Sequence, residues 1–130
     1  MDKAMFDQAI MDGMVAAGTQ RREVAGVEWK AHPAFTGVEM KLLLSGADTA
    51  GGYSLHLVRV AGGREIGEHT HQGSRELHTV VAGQGRCQTP TGDTGYAPGT
   101  CRDIPAGEPH RVLAGPGGLM LLATFVPALV

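Results

Sequence analysis

His69 and His71 stand one residue apart, Glu76 follows five positions later, and His110 lies near the end of the chain. Imidazole nitrogens and a carboxylate oxygen together make a donor set for a borderline divalent cation. Alternate residues of an extended strand face one side, so His69 and His71 project together while Thr70 turns away. The chemistry this points to is one mononuclear divalent metal ion, with zinc, iron, manganese or nickel as candidates. Three neutral imidazoles and one carboxylate leave room on such an ion for solvent or substrate. His78 lies two positions after Glu76 and shares its strand face. It is the candidate catalytic group, with three roles open to it: acid or base near neutral pH, further ligand, or hydrogen-bond partner of Glu76.

Such a site needs rigid mounting, and the texture of the chain supplies it. From Val27 onward short apolar runs are punctuated by glycine, which contributes 20 of the 130 residues. Val38, Met40, Leu42 and Leu44 alternate with Glu39 and Lys41, the pattern of a half-buried strand. Further strands are expected at 53–60, 68–71, 76–82, 86–89, 100–104, 110–113 and 119–126, joined by turns such as Gly83-Gln84-Gly85 and Gly115-Pro116-Gly117-Gly118. Eight or more short strands predict an all-β sandwich or barrel. Ahead of them, Phe6, Ile10 and Met14 recur at helical spacing, so an N-terminal helix is expected over Asp2–Ala17, ended by Gly18. The division is residues 1–26 as helix and connection and 27–130 as the barrel domain.

Net charge is −2 and no basic stripe is present, which argues against nucleic acid as a partner. No apolar run approaches the ~20 residues of a membrane span, and the acidic start lacks the form of a signal peptide, so cytoplasmic residence is expected. Cys87 and Cys101 read as two buried reduced thiols, with a disulfide between adjacent strands as the alternative. His56 and His32 are additional imidazoles, the second expected at the surface. Arg59, Arg86 and Tyr53 would bind an anionic substrate if they faced the cavity.

The segment from Gly63 to Gly83 reads glycine, five residues, His-x-His, four residues, Glu, six residues, glycine. The segment from Gly99 to His110 reads glycine, five residues, Pro-x-Gly, two residues, His. Both resemble, in order, the two sequence motifs of the cupin superfamily. Ala114 departs from the asparagine that often ends the second motif, a position that is not a usual ligand. The resemblance implies a small jelly-roll β-barrel with His69, His71, Glu76 and His110 as metal ligands. It also implies pairing into a homodimer, for which the apolar face of residues 5–14 and the tail 119–130 offer material. The stretch from Trp29 to Val38 is similar to the start of the cupin domain of zinc-binding anti-sigma factors. The expected function is an enzyme acting on a small polar molecule, of dioxygenase, isomerase or lyase type. The alternative is a metal- or ligand-sensing module without catalysis, since one fold hosts many activities.

Overall fold

The computed structural model describes residues 9–130. Among these residues ten strands follow one another: β1 (Met14–Ala17), β2 (Gln20–Glu23), β3 (Lys30–Ala31), β4 (Val38–Leu44), β5 (Ser54–Val60), β6 (Glu65–His69), β7 (Arg75–Thr89), β8 (Gly92–Tyr96), β9 (Cys101–Ile104) and β10 (His110–Val126). All pairings are antiparallel. The main ladder runs β3-β4-β5-β10-β7-β8, with β6 added to β10 and β9 added to β7. It is a jelly-roll arrangement whose ladder ends at β3 and β8 rather than closing by hydrogen bonds into a ring.

Two strands are long and bent. The first half of β7 and the second half of β10 pair in one leaf, and their other halves pair in the opposite leaf. The expected turns Gly83–Gly85 and Gly115–Gly118 are these bends, not chain reversals. Glycine is required there by close packing: a Cβ on Gly83 would lie 2.2 Å from the carbonyl oxygen of Gly118, and Gly83 itself has φ +78°.

The N-terminal helix needs correction. Residues 2–8 lie outside the described part; 9–11 are helical, but Met14–Ala17 is a strand that turns through Gly18 and pairs with β2. The burial there has a period of two, with Val15 buried between exposed Met14 and Ala16, so the extended form serves the core better than a helix would. The first thiol is buried as expected, but Cys101 is exposed, and neither cysteine is paired.

The core lies in two layers. Inside the roll, Val58, Val80, Ile104, Val112 and Leu121 are all at most 5% exposed. On the outer face, Leu43, Leu57 and Val81 are buried with Val15 and Val24, and Trp29 packs against them. The segment before β3 therefore shields one leaf, and each fully buried leucine or valine stabilises the fold by about 1.5–3 kcal/mol.

This second layer alters β4. The alternation predicts a solvent-facing Lys41, yet Lys41 is 1% exposed and Leu42 39%. Lys41 Nζ donates to the carbonyl of Val24 at 2.8 Å and lies 5.0 Å from the centre of the Trp29 ring. Leu42 instead pairs with His56, on the inner face and near the open end of the roll.

Candidate metal centre

Three strands deliver the candidate donors from their ends. His69 closes β6, His71 follows just beyond it, Glu76 is the second residue of β7, and His110 opens β10. His110 stands opposite His69 in the β6–β10 ladder, which sets two of the donors side by side without any help from side chains. Glu76 faces inward on a strand that also pairs with β10.

One ligand atom from each of His69, His71, Glu76 and His110 lies within 4.8 Å of all the others. Around a cation with ligand bonds of ~2.1 Å, donor atoms sit at most about 4.2 Å apart. The group is thus within about half an ångström of a coordinating arrangement.

The protons are placed for the same purpose. Nδ1 of His69 is 2.7 Å from the Gly67 carbonyl, and Nδ1 of His110 is 3.0 Å from the Glu108 carbonyl. A carbonyl only accepts, so each Nδ1 carries the hydrogen and each Nε2 keeps its lone pair. His110 Nε2 then faces Glu76 Oε1 at 2.9 Å, and both atoms are buried with no hydrogen-bond partner. Two acceptors turned toward each other in the interior are costly unless a cation lies between or beside them. That orphaned pair fits a bound metal.

The other oxygen of Glu76 is held separately. His78 Nε2 lies 2.8 Å from Glu76 Oε2, and His78 Nδ1 lies 2.7 Å from the hydroxyl of Tyr96. Glu76, His78 and Tyr96 are all at most 5% exposed. Burial alone would raise the Glu76 carboxyl, but the His110 and His78 imidazoles, when they carry a proton toward it, hold it well below the usual carboxylate range, as a cation in that place would. Burial likewise opposes charge on His78, yet contacts with Cys87 and Glu76 push its imidazolium up to about 9. Desolvation lowers both His69 and His71, which favours the neutral, metal-binding form.

The centre is open on one side. Glu76 and His110 are buried, whereas His69 and His71 are half-buried. Phe125 stands edge-on to His71 with ring centres 4.9 Å apart, and His56 stands edge-on to Phe125 at 5.3 Å. His32 and Phe35 stack at 4.7 Å, and Phe35 in turn lies 5.9 Å from His69, so the loop before β4 covers the outer side of that imidazole. His32 is half-buried rather than a free surface group.

The other expected contributors are elsewhere. Arg59 lies 4.0 Å over Trp29 on the outer face and pairs with Glu39, while Arg86 and Tyr53 are exposed. Tyr96 was not legible as part of the centre, because β8 carries two glycines and shows no apolar alternation.

A family model described as Cupin domain matches residues 56–125, which takes in all four candidate ligands and His78. This chain is a cupin. No curated protein matches it. Among solved structures, a predicted oxalate decarboxylase from Thermotoga maritima is 22% identical, with TM-score 0.73 over 79% of this chain and 95% of that one. The polyketide cyclase RemF from Streptomyces resistomycificus is 21% identical, with TM-score 0.72 over 86% of each chain. Rru_A2000 from Rhodospirillum rubrum, a cupin-2 domain, is 20% identical, with TM-score 0.71 over 85% of this cupin and 76% of its own chain. At these identities the likeness is one of fold.

Proposed function

We propose that this cupin is a mononuclear metal-dependent enzyme acting on a small polar molecule, with His69, His71, Glu76 and His110 holding the ion. The reading rests above all on the orphaned pair, Glu76 Oε1 and His110 Nε2, turned toward each other at 2.9 Å in the interior. A bound divalent ion would supply a Lewis acid with an open coordination position. Zinc, iron, manganese and nickel all suit three imidazoles and a carboxylate. Reaction types in keeping with this arrangement are dioxygenation, isomerisation and β-elimination. The neighbours named as a predicted oxalate decarboxylase and a polyketide cyclase support small-molecule chemistry as the general class.

The chain's own groups divide the work. His69 and His71 line the open side and leave it accessible to a small molecule, while Phe125 supplies an apolar wall. Both nitrogens of His78 are engaged, so it acts through Glu76, fixing the carboxylate so that Oε1 presents its lone pairs. We include a cytoplasmic homodimer in the reading. Leu77 and Val126 are exposed large apolar residues, 39% and 51% accessible, and light scattering at micromolar concentration tests the pairing.

The deciding experiment is metal analysis of protein prepared under defined supply of each candidate ion, followed by a search for ligands that displace metal-bound water. One ion per chain in the parent and loss of it in Glu76→Gln and His110→Ala is the expected result. Full metal content in both variants would overturn the assignment.

A further inference from the structure

His56 is a polar group on the inner wall for which the metal centre has no use. Across the ladder, Leu42, His56, Ala123, His78 and Arg102 occupy one rung, and Ser54, Phe125, Glu76 and Ile104 the next. Paired residues share a face, so His56 points to the same side as Glu76 and His78. Two strand spacings, about 10 Å, separate the backbone of His56 from that of His78. Between them on this rung stands Ala123, whose side chain is a single methyl group.

The orientation of the ring is fixed. His56 Nε2 lies 3.3 Å from Ser54 Oγ, and Ser54 Oγ accepts the backbone N–H of Leu129 at 3.0 Å. Phe125 packs against the ring edge-on. Nδ1, by contrast, has no hydrogen-bond partner among the described residues. A clamped imidazole whose second nitrogen has no partner among the described residues, beside the half-buried side of the metal group, is placed to meet a ligand.

We propose that His56 is a substrate-contacting residue, whose Nδ1 binds the far polar oxygen of a small hydroxy- or keto-carboxylate. The proposal rests on the metal reading above, because the near end of the molecule is placed by the ion. The charge supports a carboxylate: a divalent cation with one carboxylate and three neutral imidazoles carries net +1, and Arg59 and Arg86 do not face the site. The Phe125 ring, edge-on to both His56 and His71, suits a hydrocarbon middle between two polar ends.

Cobalt(II)-loaded protein titrated with ω-hydroxybutyrate and with butyrate, followed by the cobalt visible spectrum, tests this. The two probes differ only in the terminal hydroxyl. The parent should bind the hydroxy acid about fivefold more tightly, the worth of one net hydrogen bond. His56→Ala should bind cobalt fully and lose the preference, and His56→Gln should keep part of it. A residue that only supports the wall would not move this ratio. Parent protein without the preference, or His56→Ala with the preference intact, overturns the proposal. Failure of the parent to bind cobalt would overturn the metal reading instead.

Discussion

His78 Nε2 sits 2.8 Å from Glu76 Oε2, so the carboxylate is gripped on the oxygen that does not face His110. Tyr96 holds the far side of the same ring. Groups that orient a metal-binding side chain commonly contribute 10–100-fold in metal affinity. Tyr96→Phe removes only a hydroxyl, and it should weaken metal binding about tenfold in a chelator competition. His78→Ala should weaken it further, because Glu76 is then free to rotate. Affinities equal to the parent's in both variants would remove this pair from the design of the centre.

Metal loading should raise the melting temperature. An ion at a hundred times its Kd adds about 2.7 kcal/mol of stability, which corresponds to roughly 10 °C in a domain of this size. Calorimetry with and without a chelator measures it. In Glu76→Gln the shift should vanish, since the remaining imidazoles lose the one anionic donor.

The metal should also be retained into mildly acidic solution. Burial lowers His69 and His71 from the ordinary 6.5, so the folded protein binds fewer protons at these rings than the unfolded chain does. Stability from this source rises with pH through the window up to about 6.5 and is lost as pH falls. Protons compete with the ion only below that value. Zinc content measured against pH should stay level down to about 6.5 and then decline. A midpoint above pH 7 would contradict the burial effect.

Lys41 offers a stability test away from the centre. Its ammonium is buried, and among the described residues it meets carbonyls and the Trp29 ring but no carboxylate. Desolvating a charge costs several kcal/mol, and bonds to neutral carbonyls return part of it. Lys41→Met keeps the length and should melt within about 1 kcal/mol of the parent or above it. Lys41→Ala leaves a void and should lose about 2 kcal/mol. A methionine variant less stable than the alanine variant would show that the charge itself holds the N-terminal segment down.

The four candidate ligands are legible in the amino-acid sequence, because their spacing is tied to where strands end, and glycine marks those ends. His69 and His110 meet as ladder partners, a relationship that motif spacing carries implicitly. The direction of His78 follows from counting by twos. That of Tyr96 does not, because Gly92 and Gly95 flatten the pattern of β8. The expected helix fails over Met14–Ala17 because Met14, the last residue of the helical spacing, also fits a hairpin that buries Val15. Lys41 misleads for a related reason. A strand covered on both faces shows no reliable alternation, and nothing local announces that Trp29 and Val24 fold over it.

The shared strands β7 and β10 have a mechanical consequence. Each passes through both leaves, so neither leaf can slide over the other without breaking rungs in two places. Glu76 and His110 sit on these girders, and the distance between them is governed by the main chain more than by side-chain torsions. A cation that demands longer bonds must therefore bend the whole frame, so the scaffold itself should sort ions by radius.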